Sequence, residues 1–338
     1  MHGLVARIAR VEAFRGWWEG IPKPPETVLS RRLAAVAAES AGESARLAGL
    51  APSPADAGYA ETLREVFEGH AGMAPGERRI QALHAGIFRH SAAVRHRAGR
   101  YKTAGAPTST DRRWMMEPAA LRAPGPLLVP AQMEALSAWY ASRGRGGDFH
   151  PVLVAAATLL EFLAIRPFAD GNGRVGRLLT NLLLLRCGHA YIPYGSLEKA
   201  IAENWAEYYL ALRRSQASRN LPRPDISPWL LAFLDALQVQ QRMARDAVFR
   251  LPAEGRLSGN QAAVLAIAAR RGEVTNRIVA VEIGLPRETA KQTLNRLTAL
   301  GALRRFGAGR ATRYRLPGAS PLSPVDGRSE ITDGTLPE

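Results

Sequence analysis

Residues 165–177 read Ile-Arg-Pro-Phe-Ala-Asp-Gly-Asn-Gly-Arg-Val-Gly-Arg, and no other stretch of this 338-residue chain restricts its fold so tightly. A strongly apolar run precedes it (150–165) and a leucine-rich one follows (175–185). Pro167 cannot continue a helix, so the pattern predicts two buried helices joined by a short glycine-bracketed loop. A helix that starts from such a loop presents unpaired N–H groups and the positive end of its dipole, which suits phosphate. Gly171 and Gly173 let the backbone approach an anion and permit positive φ. Arg174 and Arg177, three apart, can clamp a polyphosphate from one side of the first turn. Asp170 is placed to hold a divalent metal such as Mg²⁺ against those phosphates, and Asn172 to donate or accept toward a transferred group.

Elsewhere the punctuation is mostly helical. Helical patterns cover about 26–50, 59–69, 76–88, 130–143, 197–217 and 229–247, with Pro22 to Pro25, Pro52, Pro54, Pro130 and Pro224 between them. Residues 100–103 and 113–117 read as two strands of a hairpin. The first 20 residues mix Arg7, Arg10, Glu12 and Arg15 with apolar positions, so no secretory segment is expected there. No run of 18 apolar residues suggests a membrane span, and the single Cys187 excludes an internal disulfide. A cytoplasmic protein without membrane contact is the expectation.

The net charge of +15 is unevenly distributed. Arginine supplies 41 of the 45 basic residues, a skew that weakens inference from overall charge. Residues 256–316, however, hold 12 Arg or Lys against three Glu, which fits an anionic partner for that segment. Three short helices (261–269, from 275, and 287–300) precede two strands (302–306 and 312–316) around a Gly307-Ala308-Gly309 tip. Ile278, Val279 and Ile283 would point inward on the second helix, and Ala290, Leu294 and Leu297 on the third. The outer face of the third offers Thr289, Gln292, Thr293 and Arg296. This order resembles a winged helix-turn-helix, with 287–300 as the recognition helix and Arg310 in the wing. The resemblance implies DNA contact: phosphates met by Arg287, Arg304, Arg310 and Arg313, base edges by Gln292 and Arg296. A scaffold or homodimer contact is the alternative use of such a module.

The central loop resembles the signature of the Fic family, His-Pro-Phe-x-Asp/Glu-Gly-Asn-Gly-Arg-x-x-Arg, at every fixed position except the first. His150-Pro151, Pro193-Tyr194-x-Ser196-Leu197-Glu198, Asn204-x-x-x-Tyr208-Tyr209 and the hairpin at 101–117, from Tyr101 to Glu117, extend the likeness over about 31–237. The resemblance implies a mainly α fold: a Fic-type helical core with a β-hairpin flap, here followed by the winged-helix domain. Expected divisions are a leader (1–25), an N-terminal helical region (26–80), the core (81–250), the basic module (256–316) and a disordered tail (317–338). It also implies AMP transfer from ATP with Mg²⁺ to a hydroxyl of a target protein docked on the flap. Asp170 would then hold the metal, Gly171, Asn172, Gly173, Arg174 and Arg177 the nucleotide, and Phe168 would anchor the loop. Relatives also carry an inhibitory Ser-Ser-x-Ile-Glu-Gly helix; Glu39-Ser40-Ala41-Gly42-Glu43-Ser44 matches it at Ser40 and Glu43. Glu43 is therefore expected to reach Arg177, or else to lie solvated on a helix face.

The departure is Arg166, where the signature has the histidine that accepts the proton of the attacking hydroxyl. A guanidinium has no acceptor lone pair and stays charged, so it cannot be a general base. Loss of a positioned base costs ~10²–10⁴ in rate. His150 begins the preceding helix, roughly 24 Å away at 1.5 Å per residue, and His189 follows the next one, so neither substitutes. A nucleotide binder without transfer, an introduced substitution, and other chemistry with Arg166 as a third phosphate clamp all fit. A nucleotide-sensing, DNA-binding regulator is the rival to an adenylyltransferase.

Overall fold

The computed structural model describes residues 2–21, 26–103, 123–249, 258–299, 302–307 and 309–316. The chain divides into two compact units, one of residues 1–19 and 23–256, the other of residues 257–338 with 20–22.

The first unit is helical. It comprises α1 (His2–Gly20), α2 (Glu26–Leu47), α3 (Pro54–Gly69), α4 (Glu77–Ile87), α5 (Val129–Gly146), α6 (Pro151–Ile165), α7 (Asn172–Arg186), α8 (Leu197–Glu203), α9 (Trp205–Ala217) and α10 (Ser227–Phe249). At the centre, α6 and α7 are apolar on nearly every face, and Leu178, Leu182 and Leu184 of α7 are fully buried. A helix apolar all round must be surrounded by others. Here α3 and α4 cover α7 while α5 and α10 cover α6. Two crossings need glycine: a Cβ on Gly176 would stand 3.0 Å from Leu159, and one on Gly58 of α3 would stand 2.3 Å from the Ile87 carbonyl of α4. Residues 26–80 and 81–250 both fall in this compact unit.

Within the stretch expected as a leader (1–25), α1 buries Val11 and Trp18 in this core, with Trp18 lying 4.7 Å from the Tyr194 ring. Arg7 pairs with Asp235 of α10, and Gln241 donates to the Val11 carbonyl. The helix expected at 197–217 breaks at Asn204, whose φ of −126° and ψ of 40° end α8 before α9 starts. Asn competes for backbone hydrogen bonds and disfavours helix interiors. Residues 100–103 form no strand; the Lys102 N–H donates instead to the Pro167 carbonyl. The rest of that hairpin, and residues 317–338, lie outside the described residues.

The second unit holds α11 (Gly259–Arg271), β1 (Glu273–Val274), α12 (Asn276–Ile283), α13 (Arg287–Ala299), β2 (Arg304–Phe306) and β3 (Arg313–Arg315). The strands form an antiparallel sheet in the order β1-β3-β2, with Tyr314 opposite both Val274 and Arg305. Val279, Ala290, Leu294 and Leu297 make its core, while Ile278 and Ile283 are half-buried. Among the described residues no helix is long and apolar enough to cross a membrane.

If α1 belongs to the core, Trp18→Ala removes a buried indole and should cost about 3–5 kcal/mol. Urea denaturation of the two proteins checks this; equal midpoints would make α1 an appendage.

Candidate functional site

His150 caps α6 by accepting the Val152 N–H on Nδ1, and Pro151 occupies the first turn. The helix ends on Arg166, the one non-glycine residue with positive φ among those described (φ 49°, ψ 63°). Pro167 forces the exit. The chain turns and re-enters helix from Gly171, also left-handed at φ 70°, where a Cβ would press to 3.1 Å on Phe88. Gly173 has no positive φ; it lies inside α7, which starts three residues earlier than the apolar pattern suggests.

Asn172 closes this loop. Its Oδ1 accepts the Phe168 N–H at 2.9 Å and its Nδ2 donates to the Phe168 carbonyl at 2.8 Å. One lone pair of Oδ1 and one Nδ2 hydrogen are thus engaged, so Asn172 clamps the loop while it also lines the cavity. Phe168 is buried as expected, and the His84 ring stacks flat on it at 3.9 Å. Lys102 adds a second strap through its ammonium to the Ile165 carbonyl; burial, then the charge of Arg166, pushes its pKa down to about 8.

The loop forms one side of a cavity of about 270 Å³. Arg166, Asp170, Gly171, Gly173, Arg174 and Arg177 all line it, so the motif residues do converge. The other side is apolar and aromatic: Leu159 and Leu163 from α6, Ile201 from α8, and Trp205, Tyr208 and Tyr209 from α9. Trp205 and Tyr209 stack on each other at 5.1 Å. A pocket with a cationic end and an aromatic wall suits a ligand with a polyanionic tail and a flat ring.

Both helix arginines already have protein partners. Arg174, 3% exposed, donates to Asp56 at 3.0 Å, while its Nε is buried without a hydrogen-bond partner. Burial is the main influence on this guanidinium and pulls its pKa down against the pull of Asp56. Arg177 donates to the hydroxyl (2.7 Å) and carbonyl (3.0 Å) of Ser44. The expectation that Glu43 reaches Arg177 is therefore corrected: Glu43 points to Arg46 one turn on, and its neighbour Ser44 faces the site. Adjacent helical positions differ by about 100°, so only one of the two can do so.

Asp170 was read as a metal ligand. Its Oδ2 lies 3.3 Å from Arg97 Nη2, and its Oδ1 faces His84 Nε2 at 3.8 Å. His84 accepts the Gly99 N–H on Nδ1, which leaves the proton on Nε2 and turns a donor toward Asp170. Among the described residues no group of three His, Cys, Asp or Glu could hold a metal ion. A nucleotide-bound magnesium needs only one carboxylate, but both oxygens of Asp170 face donors, which does not suit that ion as the side chains stand. Ser44, Asp56, His84 and Arg97 escaped the sequence reading because each reaches the loop from a distant helix or turn.

His150 and His189 meet far from the loop. Their Nε2 atoms lie 3.4 and 3.5 Å from one oxygen of Glu12 on α1. Burial, the largest cause, holds His189 down to about 4. The neighbouring Cys187 thiol is pushed up to about 11, again by burial first.

In the second unit, Gln292 and Arg296 are exposed on one face of α13, Arg287 is exposed at its start, and Arg304 is exposed on β2. Thr293 is buried, its hydroxyl donating to the Thr289 carbonyl, so it is not on the outer face as expected; Arg313 is exposed and pairs with Glu273. The side chain of Arg310 lies outside the described residues.

The Fic/DOC family model matches residues 76–184, which include the loop and both central helices. A protein adenylyltransferase Fic of Aedes aegypti is 42% identical over 66 residues, which is 20% of this chain and 13% of that protein. The chain thus matches only about an eighth of the length of such curated relatives. The fold is that of solved Fic proteins. A Fic family protein from Desulfovibrio desulfuricans G20 aligns with TM-score 0.52 at 22% identity, over 95% of this chain and 98% of that one. A Fic domain containing signaling protein from Bacteroides thetaiotaomicron aligns with TM-score 0.55 at 20% identity, over 75% and 99%.

The Glu12 cluster carries a pH signature. His189 stays neutral in the fold down to about pH 4, against an ordinary value of 6.5. Below 6.5 the unfolded chain binds the extra proton, so this residue's contribution to stability is lost as pH falls toward 4. Unfolding free energies of the parent and His189→Gln, measured between pH 7 and 4, should converge; parallel curves would refute the assignment.

Proposed function

We propose that the cavity between the 166–177 loop and α9 binds ATP or a related nucleoside triphosphate, on the scaffold of a protein adenylyltransferase whose AMP transfer is impaired by Arg166. The observation that carries this reading is the joint lining of one cavity by the glycine loop, three guanidiniums and an aromatic wall. The relatives called protein adenylyltransferase Fic support the reaction class. In that reaction the polyphosphate tail would lie on Arg174, Arg177 and the α7 N-terminus, and the base against Trp205 and Tyr209. A target protein would bring its hydroxyl by docking on the segment Tyr101 to Glu117, as the family resemblance implies.

Arg166 supplies charge where the reaction needs a proton acceptor. Among the described residues no histidine lines the cavity, and His84 is turned to Asp170. Position 166 is left-handed, a conformation in which histidine is enriched several-fold over most side chains. The backbone there would accept the imidazole without rebuilding the loop.

A second reading, a nucleotide-responsive DNA-binding regulator, is favoured by one observation. Arg287, Lys291, Gln292, Asn295 and Arg296 are exposed along α13, in the helix and strand order of a winged helix-turn-helix. Such a face would set its arginines on phosphates and Gln292 on base edges.

Two experiments separate the readings. With α-labelled ATP, Arg166→His should transfer label to itself or a target ~10²–10⁴ faster than the parent; equally silent proteins would remove the enzyme reading. Duplex DNA affinity should fall at least about tenfold between 50 and 200 mM salt and drop further in Arg287→Ala/Arg296→Ala. A salt-independent affinity would remove the DNA reading.

A further inference from the structure

We infer that this site takes its polyphosphate ligand without a divalent metal, because guanidinium groups already hold the place and the charge that a metal would supply. The inference rests on the nucleotide reading above and concerns the form of the ligand: a free nucleoside triphosphate anion.

The first ground is Asp170. A magnesium ion bound with a nucleotide needs a carboxylate oxygen at about 2.0–2.1 Å, with waters and phosphate oxygens completing an octahedron. Among the described residues Asp170 is the one acidic residue lining the cavity. One of its oxygens accepts from Arg97, and the other faces the Nε2–H of His84. Both neighbours are donors, and His84 cannot turn its lone pair inward while Nδ1 holds the Gly99 N–H. A metal at Asp170 has to displace a guanidinium and sit against an N–H.

The second ground is charge. Arg166, Arg174 and Arg177 set three positive charges on the lining against the single one of Asp170. Ser44 engages Arg177 without neutralising it, and Asp56 offsets Arg174 alone. Arginine keeps its proton at any physiological pH and offers a planar fork to phosphate oxygens. Neutralising the tail, which a bound cation does elsewhere, is here a fixed property of the side chains. A metal that travels in on the nucleotide lowers the ligand's charge and brings a like charge toward four arginines, Arg97 included.

Calorimetric titration of the full chain with ATP, in EDTA and again in excess Mg²⁺, tests this. Equal or tighter binding in EDTA is expected, by up to about tenfold, since Mg²⁺ on the tail would cancel two of its charges. Arg97→Gln should reverse the order, with Mg²⁺ strengthening binding; Arg97 is partly exposed, and a thermal melt confirms the variant's fold. Binding that needs Mg²⁺ in the parent overturns the inference and leaves the nucleotide reading standing. No heat in either buffer overturns that reading and the inference with it. A variant whose metal response matches the parent's overturns the role given to Arg97.

Discussion

The site depends on one side chain. Asn172 accepts from and donates to the backbone of Phe168, closing the loop that separates α6 from α7. Without those two bonds the buried Phe168 amide and carbonyl would have no partner at the place where neither helix can supply one. The clamp holds Gly171 in its left-handed turn, and that turn aims the start of α7 into the cavity. Phe168 pins the closed loop beneath the His84 ring. The arginines at 174 and 177 then follow from the helix period alone.

Around that frame the protein balances a concentration of positive charge. Arg174 is nearly inaccessible and leans on Asp56, whose other oxygen caps the start of α3 through the Ser53 N–H. Arg177 is held by a serine, a neutral partner and a weak competitor for any anion. The two contacts tie α2 and the start of α3 to the loop. An arriving phosphate would therefore meet one arginine that is easily released and one that is not.

The loop was legible in the sequence because its chemistry is local: glycines, proline, carboxylate and arginines act within a few residues of each other. The helical core was legible for the same reason, since the apolar periods of α6 and α7 span whole helices. What was not legible is what other elements bring. Ser44 and Glu43 are neighbours, and only the packing of α2 on the core decides which one meets Arg177. Asp56, His84 and Arg97 lie some 70–120 residues from their partners, with no spacing to betray them. The clamp made by Asn172 is not legible either, because an amide in such a loop can serve a ligand, the loop or both, and composition does not distinguish them. The strand expected at 100–103 failed because the N–H of Lys102 is taken by Pro167.

The lone thiol has a practical consequence. Cys187 needs a pH near 11 to ionise and stands among Glu12, Arg15 and His189, away from the cavity. At neutral pH almost none of it is the thiolate that reacts with electrophiles. Maleimide should therefore react far more slowly with Cys187 than with an ordinary exposed thiol. A dye or spin label could be introduced at a single new position beside the loop and report on ligand arrival with little background from the native sulfur.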